Sequence, residues 1–305
     1  MKYKYIIILV ILFLVYLLFN NKENFEEPRQ EIIIRKPYDK FYAPVYSVLI
    51  TDQIVDRTQY EVNDLLKKTK LRKFQDPNLL DLGAGAANHL IFLEKKNIKS
   101  LKLTGIDKSV HMLNETRKRM KKYKIPSDRI RLLQRNIDND DLFMPGSYSH
   151  VTCYYFTIYM LDIDKLVENL KVWLRTGGWF AVHMVDLYKF DPVLDASSPF
   201  VGTTVQKYVK NRITESQINF KHFDYYSNFK IPSGEESSDA KYAYFEETFK
   251  FHKRPLIRKQ KHELRIIKMN EFIKKITKQG FYLKATTHLN GLNYPFQYIL
   301  YFQKK

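Results

Sequence analysis

The chain has 305 residues, 51 of them Lys or Arg against 33 Asp or Glu, and it is 45% hydrophobic with one cysteine. That length suits one elaborated domain or two small ones, and the apolar share excludes a disordered or low-complexity chain. The lone cysteine excludes a disulfide scaffold or a multi-cysteine metal centre, while the net charge of +18 raises nucleic acid and anionic membranes as partners.

Met1-Lys2-Tyr3-Lys4 leads into an unbroken apolar run, Tyr5 to Phe19, closed by Asn20-Asn21. Counted from Tyr3 with Lys4 snorkelling, the run reaches the lower edge of the roughly 17–25 residues that span a bilayer. No small-residue cleavage site follows Leu18-Phe19, so residues 1–21 read as an uncleaved single-pass anchor rather than a signal peptide. Lysines precede the run and acids follow it, which favours a cytosolic amino terminus, but the basic domain beyond leaves the side of the membrane open. The three lysines and three acids of residues 1–27 cancel, so the whole +18 lies past the anchor. Residues 22–37, polar with Pro28 and Pro37, read as a linker. From Tyr38 to Lys70, Val45, Val48 and Leu49, then Val62, Leu65 and Leu66, recur at helical spacing and predict two helices.

After Pro77 strands and helices alternate. Strands are predicted at 79–82, 101–106, 130–133, 151–156 and 179–185, with helices at 88–96, 109–123 and 164–174. This is an α/β pattern of βαβ units and a doubly wound, mostly parallel sheet. Residues 187–240, rich in aromatics, Ser and Asp, break the alternation and read as an irregular insertion, a lid over a substrate. A hairpin around Arg254-Pro255, a helix over 269–279 stopped by Gly280, and a last strand pair, 281–288 and 297–302, complete the chain.

The most informative stretch is Leu79-Leu80-Asp81-Leu82-Gly83-Ala84-Gly85-Ala86-Ala87-Asn88. A strand running into Gly-x-Gly and then a helix lets the backbone turn sharply and approach a ligand, with helix amides facing it. Asp81 stands two residues before the first glycine, where it reaches a ligand ammonium or organises the loop. Asn88 occupies the third-glycine position of the dinucleotide fingerprint, so a carrier without a pyrophosphate fits better than NAD. Asp107 ends the second strand 24 residues past Gly83, in register to accept from ribose hydroxyls, the alternative being a cap on the helix near Ser109. The third strand ends at Asn136-Ile137-Asp138, where Asn136 ahead of Asp138 accepts from an adenine amino group or serves as a turn residue.

With these motifs in order, the chain resembles the class I S-adenosylmethionine-dependent methyltransferases over roughly residues 38–305. Asp81-x-Gly83-x-Gly85 looks like the family's first motif, and Asp107 like its ribose acid. Trp173-Leu174-Arg175-Thr176-Gly177-Gly178-Trp179-Phe180 is similar to its helix-to-fifth-strand turn, and Tyr38 to Tyr46 resembles the aromatic segment that covers the cofactor. The resemblance implies a Rossmann-like seven-stranded sheet with the last strand antiparallel and S-adenosyl-L-methionine as cofactor. It also implies cofactor contacts from Asp81, Gly83, Gly85, Asp107, Asn136, Ile137, Tyr154, Tyr42 and Tyr46, and no metal. Ala87 replaces a frequent third glycine, Asn136 a usual Asp, and Ser149-His150 stand where an acid often precedes the fourth strand.

Methyl transfer needs an aligned acceptor and excluded water, so the acceptor belongs at the carboxyl ends of the fourth and fifth strands. Candidates there are Tyr155, Tyr159 and His183, although a histidine inside a strand is more often a hydrogen-bonded core residue than a base. Glu246, Glu247, His262 and Arg265 on the late hairpin line the substrate mouth or, as the blander reading, are solvated charges. The cluster Arg117 to Lys124 reads as a solvated helix face rather than a nucleic-acid site. The acceptor is taken as a small molecule or lipid headgroup. The rivals are a non-catalytic binding or scaffold protein that keeps the fold, an RNA methyltransferase, and an NAD-dependent oxidoreductase.

Overall fold

A computed structural model describes residues 29–139, 142–197, 205–232 and 241–305. The anchor expected over residues 1–21 lies outside the described residues, among which no helix is long and apolar enough to cross a membrane. In chain order the elements are β1 (Gln30–Ile34), α1 (Tyr42–Tyr46), α2 (Val55–Thr69), β2 (Asn78–Leu82), α3 (Asn88–Lys95), β3 (Lys102–Asp107), α4 (Val110–Lys122), β4 (Ile130–Gln134), β5 (Tyr148–Cys153), α5 (Ile163–Trp173) and β6 (Leu174–Val185). They continue with β7 (Glu215–Asn219), β8 (Phe223–Lys230), β9 (Tyr242–Phe251), β10 (Leu256–Arg265), α6 (Met269–Lys278), β11 (Phe281–His288) and β12 (Gln297–Lys304).

Seven strands form a mixed sheet in the order β11-β12-β6-β5-β2-β3-β4. The pairs from β6 to β4 are parallel, and β12 runs antiparallel to both β6 and β11, as expected from sequence. The strand order reverses between β2 and β5, which opens a crevice at their carboxyl ends. Helices cover both faces because the strands are apolar on both. Trp173 of α5 and Phe272 of α6 pack with Phe180 and Phe302 on one side, and Val62 and Leu65 of α2 with Leu79 and Ile299 on the other. Caps set the helix starts: Asp162 accepts from the Asp164 and Lys165 amides at α5, and Ser109 Oγ from the Met112 amide at α4. Ser149 and His150, unexplained by sequence, brace this sheet. Ser149 Oγ accepts from Asn78 N at 2.9 Å and lies 2.8 Å from His150 Nδ1, knitting β5 to β2.

Two expectations are corrected. Residues 30–34 of the expected linker are a strand, paired parallel to β10. The expected irregular insertion contributes two strands: β7 and β8 join the β9–β10 hairpin and β1 in a second, five-stranded sheet ordered β1-β10-β9-β8-β7. Its inward residues on β10 are Arg258, Gln260, His262 and Leu264, three of them polar, while Lys259, Lys261 and Glu263 point outward. Period-2 hydrophobicity, the usual mark of a half-buried strand, is therefore nearly absent. Phe41, Tyr42 and Leu49 of the segment around α1 pack on this sheet against Tyr225 and Phe249. The second sheet thus roofs the carboxyl ends of the first.

Candidate active site

A cavity of about 710 Å³ lies between the two sheets, lined by the β2–α3 loop, the ends of β3 and β5, the α1 segment and the inner face of β9 and β10. Gly83 and Gly85 adopt φ of +63° and +56°, open to glycine without strain. A Cβ on Gly83 would lie 2.5 Å from the Thr157 side chain, so the loop leaves no room for any other residue there. Asp107 accepts from the Gly85 amide at 2.9 Å and the Ser109 amide at 2.8 Å, one on each oxygen. A carboxylate offers about four acceptor positions, so two remain for ribose hydroxyls. Asp107 therefore braces the glycine loop, and the helix-cap role belongs to Ser109.

Asp81 is buried and accepts from Thr152 Oγ1 at 2.7 Å. Burial pushes its pKa up to about 6, with the neighbouring His89 and the Thr152 hydroxyl pulling the other way. Ile137 is buried on the cavity wall and Asn136 is exposed at its rim. Tyr42, Tyr46 and Tyr154 also line it, and Tyr154 stacks on His89 with ring centroids 4.1 Å apart. The predicted cofactor residues are thus brought to one wall.

The three acceptor-side candidates separate. Tyr155 lines the cavity, in a left-handed conformation (φ 56°) with the Arg57 guanidinium 5.0 Å from its ring. Tyr159 does not: its hydroxyl is buried, taking a hydrogen bond from Val185 N at 2.7 Å and lying 3.1 Å from Val185 O. His183 does not either. Its Nδ1 lies 2.7 Å from the Tyr155 carbonyl, which as an acceptor assigns the proton there, and its Nε2 accepts from Arg57 Nη2 at 3.0 Å. Burial foremost, then the Arg57 charge, lowers its pKa to about 4. With both nitrogens occupied, His183 is a neutral core residue rather than a base.

Sequence reasoning missed the polar network behind this wall and undervalued the roof. Arg57 donates to Glu61 (2.8 Å) and Gln297 (2.9 Å), and Glu61 also meets His89 Nε2 at 2.7 Å. On the roof Glu247 and His262 are buried and line the cavity, whereas Glu246 faces outward to Lys230 and Arg265 packs beside Tyr242. The solvated reading fails for the first two. Alternation along β9 separates Glu246 from Glu247, but which face was inward was not visible without the second sheet. In the basic cluster, Arg119 is likewise buried, ion-paired to Asp52.

Residues 80–180 match the family model described as a methyltransferase domain. Among solved structures, the chain is similar to an S-adenosylmethionine-dependent methyltransferase from Clostridium acetobutylicum (16% identity, 88% of this chain and 98% of that one, TM-score 0.59). It is also similar to CalS10, an amino pentose methyltransferase from Micromonospora echinaspora in its S-adenosylmethionine-bound form (16% identity, 81% and 92%, TM-score 0.52). A third is KedS8, a sugar N-methyltransferase from Streptoalloteichus (14% identity, 80% and 87%, TM-score 0.51). No curated protein matches the chain. Residues 80–180 are thus a methyltransferase domain, and the chain shares its fold with S-adenosylmethionine-dependent methyltransferases, which supports S-adenosylmethionine as the cofactor.

Proposed function

We propose that the chain transfers the methyl group of S-adenosylmethionine to the nitrogen of a small amine held under the second sheet. The single observation that carries this reading is the roofed cavity, whose wall holds more carboxylates than cationic side chains in a protein of net charge +18. Such a wall favours cationic ligands. The cofactor supplies an electrophilic methyl on a sulfonium; Gly83, Gly85 and Asp107 would hold its nucleoside and Asp81 its ammonium. Tyr42, Tyr46 and the strands above them exclude water from the reacting centre. The activities named for CalS10 and KedS8, an amino pentose and a sugar nitrogen, agree with an amine acceptor. Incubation with methyl-labelled cofactor and fractionated extracts tests the reading: label should enter the small-molecule fraction and resist mild base, as an N-methyl group does. Label confined to lipid, protein or RNA would overturn it.

Asp81 makes the reading pH-dependent. Its carboxylate binds an ammonium only when ionised, and a pKa of about 6 leaves roughly a tenth of it ionised at pH 5. Cofactor affinity is therefore expected to fall about tenfold from pH 7.5 to 5, and Asp81→Asn should flatten that response. Asp81 itself does not weaken the fold over this range, because a folded-state pKa raised above the unfolded value makes it a cost to folding above pH 6 that fades as pH drops. Titration calorimetry across this range decides the point.

The apolar run Tyr5 to Phe19 supports a further reading, that one N-terminal anchor tethers the enzyme to a membrane. The full-length protein should stay in the pellet after alkaline carbonate extraction, and its release would overturn the tether.

A further inference from the structure

The second sheet carries a buried polar group that cofactor binding does not use. Glu247 of β9 accepts from the Tyr42 and Tyr225 hydroxyls, each at 2.8 Å on Oε1, and from Gln260 Nε2 at 2.7 Å on Oε2. His262 Nε2 also lies 2.7 Å from Oε2, and since a carboxylate only accepts, that nitrogen holds the proton. All four acceptor positions of the carboxylate are filled, which fixes the imidazole in one tautomer and orientation. Burial alone would push the Glu247 pKa up; His262, then Gln260 and Tyr42, hold it below the usual carboxylate range. In the neutral ring Nδ1 of His262 keeps the lone pair, and among the described residues it makes no hydrogen bond although the residue lines the cavity. A buried ring held by one nitrogen with a lone pair open to the reaction chamber is the arrangement of an oriented general base.

The cluster also sits beside the cofactor wall. Tyr38 and Tyr46, with ring centroids 5.7 Å apart, line the same cavity as Asp107 and Glu247. Tyr38 packs on His262 with centroids 5.4 Å apart, and Ser109 Oγ donates to the Tyr38 carbonyl at 2.6 Å, joining the roof to the ribose end of β3. Tyr38 and Tyr42 from the α1 segment and Phe245 and Glu247 from β9 lie against the His262 ring, and Tyr225 from β8 and Gln260 share its carboxylate partner. Arg258 is neutralised by Asp39 at 2.8 Å.

We infer that His262 is the catalytic base of the methyl transfer, with Glu247 as its positioning residue. This rests on the amine reading above. The acceptor ammonium yields one proton to Nδ1. The freed nitrogen lone pair then forms the N–C bond while the S–C bond breaks, its electron pair remaining on sulfur. The proton leaves His262 to water when the products depart.

The test uses the full chain and two readouts. In histidine 15N spectra with S-adenosylhomocysteine bound, neutral His262 should carry its proton on Nε2, and Glu247→Gln should weaken that preference. Label transfer from methyl-labelled S-adenosylmethionine to a pooled small-molecule extract should fall about 100-fold or more in His262→Asn and at least tenfold in Glu247→Gln. Cofactor affinity should stay within about threefold, and the outward Glu246→Gln should match the wild type. His262→Gly should regain transfer when imidazole is added, which a merely structural role would not produce. A proton on Nδ1 in the neutral ring, or His262→Asn transferring within threefold of wild type, overturns the inference and leaves the amine reading standing. A wild type that binds cofactor but labels no small molecule overturns the amine reading and this inference with it.

Discussion

Asp107→Ala is expected to weaken S-adenosylmethionine binding by two to three orders of magnitude. Two acceptor positions of that carboxylate are taken by the Gly85 and Ser109 amides, and the substitution removes both the brace on the glycine loop and the acceptor positions proposed for the ribose. Hydrogen bonds to a charged group are worth about 1.5–3 kcal/mol each, and each 1.4 kcal/mol is a factor of ten. Asp107→Asn keeps one acceptor oxygen and should lose about tenfold. Titration calorimetry measures both, and an Asp107→Ala protein that binds within fivefold of wild type would remove the ribose role. Burial raises the Asp107 pKa against the pull of the two amides, so acid should weaken binding through this group as well as through Asp81.

The second large effect falls on stability rather than on binding. Arg57→Met is expected to cost about 3–5 kcal/mol, because it leaves Glu61 ionised and buried beside His89, and leaves Gln297 and the His183 lone pair unmatched. For a domain of this size that is a midpoint about 10 °C lower in thermal unfolding. Arg57→Met combined with Glu61→Leu should recover much of the loss, since no uncompensated charge then remains. A single variant within 1 kcal/mol of wild type would show that the pair is not what holds α2 to β6 and β12. Acid should act through the same network. The Glu61 pKa, pushed up by burial but pulled down to about 2 by Arg57 and His89, contributes stability present above about 4.5 and lost as pH falls towards 2. His183, lowered to about 4, contributes stability in its neutral form that is present above about 6.5 and lost between there and 4. Acid unfolding should begin with the histidine and steepen with the carboxylate.

How much of this could be read in advance depended on how locally each feature is encoded. The cofactor loop was legible because its demands are local: Gly83 and Gly85 need positive φ, and Asp107 reaches back only 22 residues to the Gly85 amide. The alternation of apolar strands and amphipathic helices likewise announced the seven-stranded sheet. The roof was not legible. Tyr42 and Glu247 are separated by 205 residues, and Arg57 and Gln297 by 240. The inner face of β10 carries Arg258, Gln260 and His262, which in a sequence look like solvent-facing charge. Their burial is tolerated because each finds a partner, and partners are a property of the fold.

His183 and Tyr159 are both core residues, which the sequence already favoured for the histidine over the role of a base. Position at the end of a central strand suggested chemistry, but the side chains turn into the core, where Arg57, the Tyr155 carbonyl and Val185 satisfy them. By itself the sequence marked the methyltransferase domain through its resemblance to that family, and the glycine loop through Gly83 and Gly85, because a turn of positive φ is dictated by neighbours a few residues apart. Only the tertiary structure decided which polar side chains face the cavity, because that depends on a second sheet that joins residues 30–34 to strands within 215–265. There the low dielectric of the interior turns a pairing such as Glu247 with His262 from a solvated accident into a fixed orientation.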